Sequence, residues 1–223
     1  MHVLGFLMAA KKRARTLDQT QLRIRAQLQK RFLHLEPVQK EDLATAYHTA
    51  LKLTSTFSKM VEDFTMQMSN QDLECKCRPG NGVKNPARIL EKAYGEPIPL
   101  DFLGGKIIAP TLKRIYEIAQ QVPEHFTVCG FKDRFETSQP FGYRDLQFQV
   151  EIGDGHIAEL KIVHHTMDEL DTIEHSIYDI VRMLSTKQNL NESEIRVYES
   201  LGKITAELYA DTWTSILQAE VKK

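Results

Sequence analysis

Long apolar runs are missing from this chain of 223 residues: nothing in it approaches the ~20 consecutive apolar residues that a membrane-spanning helix needs. No secretory signal is expected either. Met1 to Ala10 is mildly apolar, but its charges follow it, the reverse of the order in a signal peptide. Cysteine is scarce: three thiols are too few and too odd in number for a disulfide framework, and Cys75-x-Cys77 has no second Cys/His pair at zinc spacing. These absences point to ordinary free thiols in a reducing, cytoplasmic setting, with export by routes that need no such signal left open. Internal repeats and low-complexity segments are absent too. A hydrophobic content of 42% with 26% charged residues is that of a globular chain with a packed core.

Net charge is almost nil, −1, but it is unevenly spread. Residues 11–31 hold Lys11, Lys12, Arg13, Arg15, Arg23, Arg25, Lys30 and Arg31 against the single acid Asp18, which leaves the rest of the chain at −8. Such a segment could meet nucleic acid, an acidic membrane, the acidic body of the protein itself, or only solvent.

Periodicity predicts helices over 14–35 and 40–68, with Pro37 between them. The Gly, Pro and Asn content of residues 75–86 predicts a loop, after which Pro86 opens a short helix to Tyr94 with Asn85 as its cap. A strand at 105–109, a helix at 111–121 bounded by Pro110 and Pro123, and a strand at 125–132 follow. Leu146, Phe148, Val150 and Ile152 alternate with Gln147, Gln149 and Glu151, and Ala158, Leu160 and Ile162 alternate with Glu159 and Lys161, marking two strands of a hairpin. Helices are predicted over 168–184 and 192–219. The order implies an α+β architecture, a mixed β-sheet flanked by helices.

Two isolated acids stand out on this framework. Asp101 sits at the entrance to one strand, in Asp101-Phe102-Leu103-Gly104-Gly105-Lys106, and Glu159 sits centrally in another. Two carboxylates on neighbouring strands can share a divalent cation, and Tyr143 at a Gly turn beside them can stack on a base. Lys84, Arg88 and Lys92 recur every four residues, a spacing that would put three cations on one helical face.

These residues resemble the synthetase domain of the RelA/SpoT family, which makes (p)ppGpp-type alarmones. The resemblance rests on Asp101-Phe102-Leu103-Gly104, Pro140-Phe141-Gly142-Tyr143, Glu159-Leu160-Lys161-Ile162 and Glu174-His175, in that order over roughly residues 80–183. It implies a nucleotidyltransferase-like fold with added N- and C-terminal helices. The segments would be an N-terminal helical region (1–79), a synthetase-like core (80–183), and a helical extension (184–223) packing on the same domain. It further implies a Mg²⁺-dependent pyrophosphokinase that moves pyrophosphate from ATP to the 3′-hydroxyl of a purine nucleotide. Asp101 and Glu159 would hold the metal and do the catalysis. Lys84, Arg88, Lys92 and Lys106 would bind ATP. Lys132, Arg134, Gly142, Tyr143, Arg144, Lys161 and His175 would bind the acceptor.

Departures from the family pattern are equally specific. Gly82 stands where the family has an arginine, so Arg88 is the candidate to restore that charge. Asp145-Leu146-Gln147 replaces Ser-Leu-His, and Lys161 and Val163 replace a glutamine and an arginine. Gly-Tyr-Arg-Asp resembles the divergent branch of small synthetases, toxin-like members included, some of which make adenosine alarmones and some of which modify the 3′ end of tRNA. Candidate partners therefore include tRNA and an antitoxin protein, and an inactive nucleotide- or RNA-binding regulator on the same fold is the non-enzymatic alternative. The family's His-Asp hydrolase motif has no counterpart, since no His-Asp dipeptide occurs.

Overall fold

Helix α1 (Gln19–Phe32) starts where Asp18 caps it: the Asp18 carboxylate accepts from Gln21 N at 2.8 Å while the Gln21 amide oxygen accepts from Asp18 N at 2.9 Å. The computed structural model describes residues 17–69, 71–93, 98–153 and 155–221, the side chains of 91–93 and 221 excepted. Lys11, Lys12, Arg13 and Arg15 lie outside the described residues. Asp42 caps α2 (Leu43–Met68), whose buried Ala46, Ala50, Phe57, Val61 and Phe64 fall on one face at helical spacing.

The remaining elements are β1 (Glu74–Cys77), α3 (Pro86–Ala93), β2 (Gly104–Ala109), α4 (Leu112–His125), β3 (Thr127–Asp133), β4 (Leu146–Ile152), β5 (His156–His164), α5 (His165–Ser185) and α6 (Glu192–Val221). The strands form one mixed sheet in the order β1-β2-β5-β4-β3. Only β2 and β5 run parallel; the other neighbours are antiparallel. The fold is the α+β arrangement expected from the sequence.

Two local expectations fail. Residues 74–77 form strand β1, paired with β2 from Glu74↔Ile108 to Cys77↔Gly105, where composition predicted a loop. Turn residues begin only at Pro79, and the short alternation Glu74-Cys75-Lys76-Cys77 ahead of them was submerged in their signal. Pro123 lies inside the last turn of α4 rather than beyond it, and the helix stops at His125 because Phe126 turns extended.

The sheet has two different faces. A side chain at Gly105 would press on Val61, Phe57 and Cys77, so β1 and β2 turn these positions toward α2. By strand alternation Lys76, Gly104 and Lys106 project the other way, toward α5. One hydrophobic cluster runs through the fold, from Ile24 and Phe57 to Leu160, Tyr209 and Ile216, and so draws on all three expected segments.

The basic helix α1 is anchored to this body by a buried ion pair. Arg25 Nε lies 2.7 Å from Asp133 Oδ2, and Arg25 and Asp133 each meet the Tyr116 hydroxyl, at 2.9 and 2.8 Å. Asp133 also accepts from Phe135 N and Glu136 N at the end of β3. Burial, reinforced by Asp133, pushes the Tyr116 hydroxyl far above its ordinary titration range, so it stays protonated. Of the segment's arginines, Arg23 is exposed and Arg25 is spent on this anchor. Replacing Arg25 with Met leaves the Asp133 carboxylate, 1% exposed, without its cation. A loss of about 3 kcal/mol and a drop of roughly 6–12 °C in the thermal midpoint are expected, whereas Arg23→Ala should stay within about 0.5 kcal/mol; a thermal melt of the two variants checks this.

Candidate active site

Strand register builds the floor of the site. Lys76 on β1 pairs with Lys106 on β2, Lys106 with Lys161 on β5, Lys161 with Gln147 on β4, and Gln147 with Lys132 on β3. One row across all five strands therefore presents four lysines and a glutamine to the same face. All five line an open cleft of about 1600 Å³. The 78–88 segment, α5, the 139–143 loop and α6 form its rim.

Aligned ammonium groups repel one another, and buried acids offset this. Asp168, in the first turn of α5 and 3% exposed, binds Lys76 at 2.9 Å and also pairs with Lys106. Burial disfavours the Asp168 carboxylate, but its bonds to Lys106 and Lys76 outweigh that and hold it below the ordinary value. Lys161 lies 3.3 Å from Glu159 and 4.0 Å from Asp145. Its own burial favours the neutral amine, yet Glu159 and Asp145 keep its titration above the usual lysine range. Asp145 is fully buried, and desolvation raises it despite Arg134, which binds it at 3.1 and 3.3 Å. Gln147 completes the chain: its amide oxygen accepts from Arg134 and its amide nitrogen donates to Glu159.

The two acids singled out from the sequence meet the same cleft. Glu159 on β5 registers with Gly104 on β2, three residues after Asp101, and Glu159 N donates to Leu103 O at 3.0 Å. The Asp101 carboxylate pairs with Lys84. Lys84 is not on a helix: it runs extended beside β2, its N–H donating to Phe102 O at 2.8 Å, and α3 begins only at Pro86. Arg88, on α3, turns to Asp179 of α5 and bridges the mouth of the cleft. Lys92 falls on α3, but its side chain lies outside the described residues.

The arginine missing at position 82 has a structural cause. Gly82 has φ +76°, and a side chain there would collide with Thr54, its Cβ coming within 2.1 Å of Thr54 Cγ2. Arg88 does not take over the position beside Asp101; Arg78 does. The Arg78 guanidinium crosses Gly104 so closely that a Cβ there would sit 2.9 Å from it, and it donates to Asp101 O at 3.2 Å, with the carboxylate at 3.9 Å.

On the opposite side, Gln139-Pro140-Phe141-Gly142 forms a turn closed by Gly142 N to Gln139 O at 2.9 Å, with Gly142 at φ +98°. Tyr143 follows, its ring 5.7 Å from Lys161 Nζ and edge-on to Tyr209 at 5.8 Å. Burial, then Asp145 and Asp171, raise its hydroxyl well above the ordinary value. Lys132, Arg134, Lys161 and His175 line the cleft as well. Arg144 does not line it. Its guanidinium donates to Phe135 O at 2.8 Å and lies 4.7 Å over the Trp213 ring, so it braces the loop from outside. His175 is largely exposed at the rim, while its neighbour Glu174 turns inward to Thr205 and Tyr209. Sequence reasoning missed Lys76, Arg78, Asp168, Gln147 and Tyr209. Lys76 sits in the strand read as a loop and Arg78 directly follows it, and the others need strand or helix partners to be recognised.

Solved alarmone synthetases share this overall fold. No family model matches the sequence, and no curated protein matches it. Solved structures do: small alarmone synthetase 2 from Bacillus subtilis superposes with a TM-score of 0.55 over 82% of this chain and 100% of its own, at 20% identity. The type VI effector Tas1, solved with its immunity protein, gives a TM-score of 0.51 over 78% of this chain and 96% of its own, at 14% identity. Among the described residues no helix is long and apolar enough to cross a membrane.

The Asp168 carboxylate carries a pH signature. Because it titrates lower in the folded state, its contribution is complete above the ordinary aspartate value and disappears as pH falls through the folded value. Asp168→Asn should cost about 1–3 kcal/mol at neutral pH, with the deficit against wild type closing below about pH 4. Chemical denaturation of both proteins across that range reads the effect directly.

Proposed function

We propose that this protein is a pyrophosphokinase of the alarmone-synthetase type, transferring pyrophosphate from ATP to the 3′-hydroxyl of a purine nucleotide. The single observation that carries the reading is the four-lysine row on the floor of a cleft that also holds Asp101, Glu159 and Tyr143. A cationic floor in a protein of net charge −1 suits a polyphosphate, and phosphoryl transfer depends mostly on positioning and charge neutralisation.

On this reading the donor triphosphate lies on the β1–β2 side, against Lys84, Arg78, Lys106 and Lys76, with Arg88 at the mouth and Lys92 beyond it on α3. The acceptor lies on the β4–β3 side, its base against Tyr143 and its phosphates against Lys132, Arg134 and Lys161, with His175 at the rim. Gly142 supplies the turn that brings Tyr143 inward. Glu159 takes the proton of the 3′-hydroxyl as that oxygen bonds to the β-phosphorus; the bond from the β-phosphorus to the α,β-bridging oxygen breaks and AMP leaves. Gln147 and Lys161 hold the Glu159 carboxylate in place. The donor set suits Mg²⁺. Asp101 and Glu159 offer hard oxygens, and among the described residues no group of three Asp, Glu, His or Cys is placed to hold a metal. Asp101 and Glu159 would hold the ion, and it would neutralise charge developing on the transferred group.

Purified protein incubated with γ-labelled ATP, Mg²⁺ and separately GDP, GTP, ADP, ATP or tRNA tests the reading. Labelled product on a purine nucleotide supports it. Transfer to tRNA alone moves the acceptor class, and ATP binding without transfer to any acceptor supports an inactive nucleotide-binding protein. Arg25, committed to Asp133, is unavailable to contact tRNA. The toxin-like neighbour makes an immunity-type protein partner a further element of this proposal.

Asp101→Asn or Glu159→Gln should each lower turnover at least ~100-fold, measured at a temperature where a melt shows the variant still folded, since each change also leaves a lysine without its counter-charge; wild-type turnover in either variant refutes its role. Tyr143→Ala should weaken acceptor use by roughly 1–3 kcal/mol if stacking is the main contact, with ATP affinity nearly unchanged and Tyr143→Phe mild. Equal losses for donor and acceptor in steady-state kinetics would remove Tyr143 from the acceptor site.

A further inference from the structure

Four consecutive residues of the Gly-Tyr loop meet the C-terminal helix, and they meet it in order. The Phe141 ring stands 6.3 Å from Tyr198, and it lies so near Gly202 that a Cβ there would come within 2.8 Å of it. A Cβ on Gly142 would come within 2.9 Å of Tyr209 Cβ. Tyr143 packs edge-on to Tyr209, and Arg144 lies over Trp213. Positions 198, 202, 209 and 213 recur on one face of α6. That face is itself fixed to α5: the buried Glu174 carboxylate accepts from Thr205 Oγ1 at 2.8 Å and from the Tyr209 hydroxyl at 3.4 Å.

We propose that α6 is the acceptor-side wall of the cleft and that Tyr209 is a positioning residue that sets where Tyr143 presents its ring to the acceptor base. The turn's own bonds, Gly142 N to Gln139 O and Gln139 N to Tyr143 O, fix the shape of the loop. They do not fix its attitude to the sheet; the register of the loop along α6 does. Acceptor affinity therefore depends on a helix outside the motif-bearing core, and donor affinity does not. This inference rests on the functional reading above.

The chain's single tryptophan, Trp213, lies at the joint and reports on it without any substrate. Two full-length variants test the proposal. Tyr209→Leu removes the ring. Gly202→Ala favours the helix while wedging Phe141 away, so it keeps the fold while disturbing the loop. Both should raise iodide quenching of Trp213 above wild type. Both should raise the acceptor KM about tenfold or more with the ATP KM within about twofold, the penalty expected for a displaced binding group. Tyr209→Phe, which keeps the ring and loses only the hydroxyl, should restore wild-type values. Unchanged quenching in both variants overturns the clamp, and equal rises in the two KM values overturn its acceptor role. A wild-type protein that transfers to no acceptor overturns the functional reading and with it the acceptor half of this proposal; the iodide arm still decides whether α6 holds the loop.

Discussion

Repulsion among aligned lysines is the constraint around which this molecule is organised. Strand register sets Lys76, Lys106, Lys161 and Lys132 in one row with Gln147, on strands about 4.8 Å apart. Such a row holds only with carboxylates beside it, and a buried carboxylate is tolerated only with cations beside it. Asp168 answers Lys76 and Lys106; Glu159 and Asp145 answer Lys161. Acids and cations stabilise each other.

The same constraint reaches the outer elements. Asp168 ties α5 to β1 and β2. Arg134, which satisfies Asp145 and Gln147, ties the segment after β3 to the sheet. From there the loop runs to Tyr143 and along α6. On the proposed reading, donor and acceptor halves meet at Glu159, which touches Lys161 and Gln147 of the row. Three departures from the pattern of the resembled family belong to this network: Gln147 and Lys161 line the cleft, Gln147 bridging Arg134 and Glu159, and Asp145, fully buried behind them, is the counter-charge of Arg134.

Position 82 shows how a substitution that looks like a loss is a displacement. Backbone with φ +76° against Thr54 leaves no room for any side chain. Besides Lys84, the cation beside Asp101 is Arg78, just after β1, and a side chain at Gly104 would meet that guanidinium. Gly104 thus serves side-chain passage.

Local pattern was enough for much of the chain. Alternation marked β4 and β5, helical spacing marked α2, α5 and α6, and Pro-Phe-Gly-Tyr marked a turn that a positive φ at Gly142 realises. Asp101, Glu159, Lys84, Lys106, Lys132, Arg134, Tyr143, Lys161 and His175 were legible as candidates because residue type and order carry that information, and all of them line the cleft. What the sequence could not determine is which side chains face one another. Lys76 is one lysine in a Cys-rich stretch until β1 pairs with β2; Arg144 belongs to the motif yet braces Trp213; Tyr209 lies far along the chain yet packs on Tyr143. Composition and periodicity are properties of neighbours along the chain, whereas register, ion pairing and the seating of a loop on a helix are set by contacts between segments far apart in it, and those only the tertiary structure decides.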